Sequence, residues 1–346
     1  HARVILRGDV KIEWTDKKDN RGLALVYSVD ASGLEQLVRR GDPVFKRMFT
    51  VEDPTGNEPT RVQPLITYDL NGDNLSELVL PGRNRVYWNL GDWKFRKEQL
   101  VQHQVPIFNP GLVADFDGNG SNDLAVLRSD GRVTVFWSLT KRQDVPLPGP
   151  SGLCVTGGDV DGDGRSDLVV GTSGETLWVV RSSGKRKWHA PESFKAHAAS
   201  QVVVGRVDGD RAPDLVLTRF SSARAAGGEQ AGAGQGARDA VIVLWGSAAK
   251  TTGPLFSRDR QLRLAAPAAV ASAIGDLDGD GHTDLAVAIH QANGTFDGKS
   301  RAWLGDGRRG FKEIPGGFRT SGTTDVAIAS AKTTGTRGRV VFCNSI

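Results

Sequence analysis

Cysteine and methionine are almost absent from this chain. Its 346 residues include two cysteines, Cys154 and Cys343, and one methionine. Two cysteines so far apart cannot build the disulfide framework of a small secreted scaffold. Both lie in apolar stretches of β type, so we expect two buried, unpaired thiols rather than a disulfide.

Long apolar runs and a strong charge of one sign are also missing. No run of 18 apolar residues occurs, so we expect no membrane insertion. The net charge is +4, and the lysines and arginines are scattered, so we expect no nucleic-acid partner. The chain begins at His1 rather than at methionine, which predicts a processed or excised piece.

Motifs of common enzymes are absent as well. There is no Gly-x-Ser-x-Gly, His-Glu-x-x-His or Cys-x-x-Cys-His sequence and no phosphate-binding loop. The six histidines and three tyrosines are spread thinly along the chain. The sequence therefore favours a protein without catalytic activity, while a site assembled from scattered side chains stays an alternative.

What the chain does contain is a short acidic loop that occurs four times in intact form. Oxygen-bearing side chains occupy loop positions 1, 3, 5 and 9, with glycine at position 4. These side chains, together with the backbone carbonyl at position 7, supply the oxygen ligands that Ca²⁺ prefers. We therefore predict about four structural calcium ions. The ligands are Asp69, Asn71, Asp73, Leu75 and Glu77; Asp115, Asp117, Asn119, Ser121 and Asp123; Asp159, Asp161, Asp163, Arg165 and Asp167; and Asp276, Asp278, Asp280, His282 and Asp284.

The start of this loop also resembles an EF-hand, which the flanking residues exclude. An EF-hand requires a bidentate glutamate at position 12 and a helix on each side. Position 12 is Leu80, Val126, Val170 or Val287 in the four copies, and short apolar runs of β type follow each loop. Each loop is therefore predicted to connect two strands.

A fifth copy of the loop is damaged at its first position. Arg206 stands where the others have aspartate, while Asp208, Asp210 and Asp214 keep the remaining acidic positions. We predict that the guanidinium of Arg206 supplies the positive charge internally and that this loop binds no calcium.

The five loops begin at residues 69, 115, 159, 206 and 276, at intervals of 46, 44, 47 and 70 residues. A period in the forties with several strands per repeat is typical of β-propeller blades. Strand-like runs before the first loop and after residue 326 raise the count. We predict an all-β, seven-bladed propeller of four-stranded blades, with six or eight blades as alternatives and the calcium loop between strands 1 and 2. It would form one domain over residues 1–346, with a flexible insertion at 221–240 and with residues 3–6 and 10–14 completing the last repeat.

The loop and the aromatic-glycine pattern after it resemble the FG-GAP/VCBS repeat of integrin-alpha-type propellers. This resemblance implies a calcium-binding β-propeller. Loops of this kind suit millimolar calcium, so we expect an extracellular or periplasmic protein.

Tryptophans recur in the third strand of each repeat. Their regular position predicts that they fill the interfaces between blades rather than a ligand site, whereas Trp14 and Trp93 fit the repeat less well and are expected at the surface. The tryptophans in regular positions are Trp88, Trp137, Trp178, Trp245 and Trp303.

Because calcium would occupy one face of the propeller, we expect a protein or glycan ligand on the opposite face, which makes the chain a binding module. One alternative is a propeller enzyme of the polysaccharide lyase or hydrolase type that uses the same face. Another is a scaffold domain of a larger secreted protein. The candidate ligand-face residues are Asp53, Glu58, His103, Arg128, His197 and His290.

Overall fold

A computed structural model describes residues 2–40, 65–102, 107–149, 152–172, 174–219, 240–247, 254–290, 297–329 and 338–344. The chain divides into two compact units, His1–Glu58 and Pro59–Ile346. The assignment of residues 1–346 to one domain stays a prediction. The insertion predicted at 221–240 lies outside the described residues except for Ala240, which begins a strand.

The described residues of the first unit form four strands in two separate pairs. β1 pairs with β4 and β2 pairs with β3, both antiparallel. That residues 3–6 and 10–14 complete the last repeat stays a prediction. The strands are β1 (Ala2–Arg7), β2 (Lys11–Lys18), β3 (Ala24–Asp30) and β4 (Glu35–Arg40).

The described residues of the second unit form four four-stranded antiparallel sheets and one five-stranded sheet, which we number as blades in chain order. Each runs in sequence order from its first to its fourth strand, because short connections favour pairing of consecutive strands. The first three blades are β5 (Ile66–Tyr68), β6 (Glu77–Leu80), β7 (Arg85–Asn89) and β8 (Phe95–Gln99); β9 (Ile107–Ala114), β10 (Asp123–Arg128), β11 (Val133–Trp137) and β12 (Lys141–Asp144); and β13 (Gly152–Gly158), β14 (Asp167–Thr172), β15 (Thr176–Val180) and β18 (Glu192–Lys195).

The third blade has a small extra hairpin between its third and fourth strands, formed by β16 (Ser182–Gly184) and β17 (Lys187–Trp188). A 3₁₀ turn at Pro81–Arg83 is the only helical element in the described ranges. These ranges therefore contain no helix that could cross a membrane. The remaining blades are β19 (Gln201–Gly205), β20 (Asp214–Thr218), β21 (Ala240–Leu244) and β22 (Gln261–Ala265); and β23 (Ala269–Gly275), β24 (Asp284–Ile289), β25 (Asp297–Gly305) and β26 (Phe311–Glu313), with β27 (Phe318–Ser321) also paired to β25.

A two-stranded sheet follows the fifth blade and packs on it. It pairs β28 (Thr323–Ala329) with β29 (Arg339–Asn344). The first strands of consecutive blades are neighbours, as in a propeller. The fold is therefore an all-β propeller, but the predicted count of seven is wrong, since five blades are present in the described residues. Alternating apolar residues indicate a strand without specifying its hydrogen-bonded neighbour. For this reason, the strand-like runs before the first loop were counted toward the number of blades.

The core lies between the blades, where each sheet packs on the next. In β14, Leu168 and Val170 face the second blade, whereas Val169 faces the fourth. Side chains on both surfaces of a middle strand are thus buried, and each large one contributes about 1.5–3 kcal/mol to folding. This explains why the middle strands are continuous apolar runs.

The tryptophans follow the predicted division between core and surface. Trp137, Trp245 and Trp303 are buried, and Trp88 and Trp178 are half-buried against the core, whereas Trp14 and Trp93 are 59% and 62% exposed. The cysteines agree only in part with the prediction of two buried, unpaired thiols. Both are unpaired; Cys154 is buried, which raises the pKa of its thiol to about 11, but Cys343 is exposed.

Candidate metal centres

All five acidic loops connect the first and second strands of a blade, as predicted. The loops occupy residues 69–77, 115–123, 159–167, 206–214 and 276–284, and we number them first to fifth with their blades. Antiparallel strands place the five loops at corresponding strand ends. The repeat in sequence is therefore a repeat in space.

The aspartate at position 1 organises each intact loop through backbone hydrogen bonds. In the third loop, Asp159 accepts from the amides of Gly162 at 2.8 Å, Asp163 at 3.0 Å and Gly164 at 2.9 Å. Gly162 and Gly164 have φ of 79° and 86°, a left-handed conformation that glycine adopts without strain. These bonds curl the backbone around one carboxylate before any ligand is present.

The side chains at positions 3 and 5 accept further hydrogen bonds from backbone amides of the loop. Asp161 Oδ1 accepts from the amide of Asp163 at 3.2 Å, and Asp163 Oδ1 accepts from the amide of Arg165 at 2.9 Å. The other intact loops repeat the position 5 to 7 bond, in which Leu75, Ser121 and His282 donate. Local hydrogen bonds thus preorganise the candidate ligands.

Three loops bring carboxylate oxygens together. In each of these loops, ligand atoms from positions 1, 3 and 9 lie within 4.8 Å of one another, so the group could hold a metal ion. The groups are Asp115, Asp117 and Asp123; Asp159, Asp161 and Asp167; and Asp276, Asp278 and Asp284.

The first loop differs from these three because Asn71 replaces the aspartate at position 3 and Glu77 occupies position 9. Glu77 is fully buried, and its Oε2 accepts from the amide of Leu70 at 2.7 Å. Its Oε1 is buried with no hydrogen-bond partner. A buried carboxylate oxygen without a partner is costly, so this atom also fits a cation-bound loop.

The acid at position 9 holds the blade together independently of any metal. Asp284 is fully buried, and it accepts from Leu277 of its own loop at 2.6 Å and from Gly305 at 2.8 Å. Gly305 ends the third strand, so one carboxylate ties the first connection of the blade to the last. Three other blades have a corresponding hydrogen bond, which a backbone amide donates from the start of the connection between strands 3 and 4. The pairs are Ser138 to Asp123, Ser182 to Asp167 and Gly246 to Asp214.

Burial disfavours the ionised form of these anchors. It raises the pKa of Asp167 to about 7; Asp161 and Asp163 add to the rise, and backbone hydrogen bonds from Ser182 and Val160 oppose it. Burial likewise raises the pKa of Asp123, Asp214 and Asp284. In the metal-free protein Asp167 therefore keeps its proton to a higher pH than an exposed aspartate does.

We expect the metal-free protein to lose stability as the pH rises through 7. The folded pKa of Asp167 lies above its unfolded value, so the stabilising contribution is fully present below about pH 4 and is lost through about pH 7. Between pH 5.5 and 8 the loss from this group is roughly 1–2 kcal/mol. Urea denaturation in EDTA at the two pH values measures it. Equal stability, or greater stability at pH 8, would contradict the raised pKa.

The fourth loop is the damaged copy, and the structure places a different arginine there from the one predicted. The side chain of Arg206 forms no ion pair within the described chain. Arg309, from the turn between β25 and β26 of the fifth blade, pairs instead with Asp208 (Nε to Oδ2, 3.0 Å). Asp208 is 5% exposed, and the guanidinium of Arg309 lies 5.4 Å from the ring centre of Trp245.

Two further arginines contact position 3 aspartates, and the sequence reading missed them as well. Arg186, from the hairpin of β16 and β17, reaches Asp117 in the second loop at 2.9 Å. Arg181, at the end of β15, lies 3.5 Å from Asp161 in the third loop. All three arginines lie just after the third strand of a blade, and this shared position is the signal that could have found them.

The candidate ligand-face residues are not brought together by any hydrogen bond or ion pair of the described chain. Asp53, Glu58 and His103 lie outside the described residues. The other three are held by separate contacts. Arg128 pairs with Asp130 and Asp144, His197 bonds Gln261 at 3.2 Å, and His290 bonds the carbonyl of Thr323 at 3.0 Å.

A pocket of about 430 Å³ lies beside Arg128, at the end of the second blade opposite its acidic loop. The turn after β10 and the segment after β12 form it, and no histidine or tyrosine is among the described residues that line it. Its lining residues are Arg132, Asp144, Val145, Leu147, Pro148 and Gly149.

Comparisons with known proteins agree with the repeat pattern. Residues 115–170 and 159–217 match a family described as FG-GAP-like repeat, and residues 268–304 match FG-GAP repeat. Integrin alpha-PS5 of Drosophila melanogaster is 30% identical over 170 residues, covering 39% of this chain and 17% of that protein. The match thus spans about a sixth of the relative.

Solved structures with similar folds are distant. BBS1N in complex with ARL6DN, soaked with mercury, has a TM-score of 0.42 at 13% identity over 81% of this chain and 88% of that one. The V. cholerae biofilm matrix protein Bap1 has a TM-score of 0.39 at 12% identity over 77% of this chain and 40% of that one. Likeness at this level supports no conclusion about function. The repeat matches and the five blades agree: this chain is a β-propeller that contains repeats similar to FG-GAP repeats at residues 115–217 and 268–304, and it resembles an integrin alpha chain over part of its length.

Proposed function

We propose that this protein is an extracytoplasmic interaction module whose propeller is stabilised by calcium bound in the first, second, third and fifth loops. The observation that supports it best is the grouping of three carboxylates within 4.8 Å in three loops that share one backbone design. The alignment with an integrin alpha chain supports a protein-interaction role.

Calcium fits the donor set better than other common ions. The candidate ligands are carboxylate, amide and carbonyl oxygens, without the histidine or cysteine that zinc prefers. Magnesium keeps several waters and rarely occupies an all-protein cage. In each loop the side chains at positions 1, 3, 5 and 9 would hold the ion, which would neutralise their mutual repulsion and join the first two strands.

The proposed location follows from the same chemistry. Calcium modules with dissociation constants of about 10⁻⁴–10⁻³ M are filled only where calcium is millimolar, which is outside the cytoplasm. We assign the exposed loops of this protein to this class.

The partner is proposed to be a protein or a glycan that binds opposite the acidic loops. The pocket beside Arg128 supports this face, because it combines apolar residues such as Val145 and Leu147 with the charged Arg132 and Asp144. Concave sites with a few polar groups among apolar ones are typical binding sites.

Binding to arrays of extracellular proteins and of glycans, in calcium and in EDTA, tests this function. We expect at least one ligand whose binding requires calcium and weakens about tenfold in Arg132→Ala, which removes a charged side chain from the pocket. Lys141→Ala is the matched control, since Lys141 is an exposed cation at the opposite end of the same blade. If Lys141→Ala weakened binding and Arg132→Ala did not, the proposed face would be wrong.

A further inference from the structure

We infer that Arg186 lowers the calcium affinity of the second loop, so that the calcium sites of this propeller fill in a set order. The inference rests on the proposed calcium function. It assigns a regulatory role to a side chain that belongs to a different blade from the site it acts on.

The hairpin that carries Arg186 is attached to the second blade by several contacts. Lys185 donates its amide to the carbonyl of Asp117 at 3.2 Å, and the Ser182 hydroxyl donates to the carbonyl of Phe116. The Trp188 ring lies 5.8 Å from Phe116. The arginine is therefore held at the second loop by its own hairpin.

The turn of this hairpin adopts a conformation that its residues do not favour. Lys185 and Arg186 have φ of 51° and 62°, in the left-handed region where asparagine and glycine are preferred. Backbone strain of this kind persists where the surroundings impose it and is often linked to function. This turn conformation of Lys185 and Arg186 brings the guanidinium of Arg186 into contact with the Asp117 carboxylate.

Both oxygens of Asp117 already have partners. Arg186 Nε contacts Oδ2 at 2.9 Å, and the amide of Asn119 donates to Oδ1 at 3.2 Å. The Asp117 side chain is only 4% exposed, whereas that of Arg186 is 35% exposed, so water screens this pair in part. A calcium ion that enters the loop must share Asp117 with Arg186 or displace it, and the two cations repel each other.

The other loops differ in this respect. Within the described part of the chain, no ion pair engages the position 1, 3 or 5 side chains of the fifth or the first loop. The fifth loop has Asp278 at position 3, where the first has the neutral Asn71, so we expect the tightest site in the fifth loop. In the third loop, Arg181 is 3.5 Å from Asp161 and also pairs with Glu192, so its charge is partly neutralised, and Arg165 of the same loop pairs with Asp163 at position 5. In the fourth loop, Arg309 forms an ion pair with Asp208, and position 1 has no carboxylate, so we expect no calcium site there.

Calorimetric titration of the calcium-free protein with calcium alone tests the inference. We expect Arg186→Gln to tighten one site about tenfold or more without changing the number of sites. Arg186→Gly should do the same and should fold readily, because glycine accepts the positive φ of this turn. Arg142→Gln, which removes an equal charge from an exposed pair with Asp144, should leave all affinities unchanged.

The Asp115→Asn background assigns the effect to the second loop. There, Arg186→Gln should change no affinity, because the site it acts on has been disabled. Unchanged or weaker affinity in both Arg186 variants would overturn the inference while leaving calcium binding intact. If the unmodified protein took up no calcium, the proposed function would fail, and this inference with it.

Discussion

Removal of calcium with a chelator is expected to lower the melting temperature of this protein by about 10 °C or more. One site kept at 100 times its Kd stabilises a fold by ~2.7 kcal/mol, and four such sites would act on the same unit. The physical cause is visible in the third loop, where Asp159, Asp161 and Asp167 crowd their oxygens within 4.8 Å. Without a cation, ionised carboxylates this close together repel one another.

Differential scanning calorimetry in EDTA and in millimolar calcium measures this effect. Adding back an excess of calcium should restore the original transition, whereas the same concentration of magnesium should restore less of it. Sodium chloride of equal ionic strength is the control for simple screening. Coincident melting curves in EDTA and calcium would falsify structural calcium.

The second large effect concerns the position 9 anchors and is expected even without metal. Asp284→Ala should lower the free energy of unfolding by about 2–6 kcal/mol, because the buried amides of Leu277 and Gly305 would both lose their acceptor. Urea denaturation in EDTA measures the loss apart from any effect on calcium binding. The corresponding fall in Tm is about 5–15 °C.

Asp280→Ala is the matched control for the anchor variant. Asp280 is an exposed carboxylate of the same loop, and it accepts only a local bond from the amide of His282 at 2.7 Å. We expect its loss to change stability in EDTA by less than about 1 kcal/mol. Equal destabilisation by the two variants would show that position 9 has no special structural role.

The loops were predictable because their chemistry is local. Ligands at positions 1 to 9, the glycine at position 4 and the apolar strands on both sides lie within one short segment, so residue type and spacing suffice to recognise them. The buried tryptophans were predictable for a similar reason, since their regular recurrence marks the interface between blades.

The arginines on the loops were not predictable in this way. Arg309 is 101 residues from Asp208, and Arg186 is 69 residues from Asp117. The choice of Arg206 as the internal cation followed from its closeness in sequence. In the structure the connection between strands 3 and 4 of one blade reaches the loop of the blade before it, so the nearest cation is supplied by a neighbour.

The sequence by itself determined the repeat, the strand-loop-strand unit and the oxygen donors of each loop, because these depend on residues that are close along the chain. Tertiary structure alone decided the number of blades, the pairing of the N-terminal strands and the arginines beside the second, third and fourth loops. Hydrogen bonding between strands and packing between blades join segments that no short pattern connects. The acid at position 9 depends on both the sequence and the fold. Its residue type can be recognised in the loop sequence, but its second hydrogen bond, from the connection after the third strand, forms only in the folded blade.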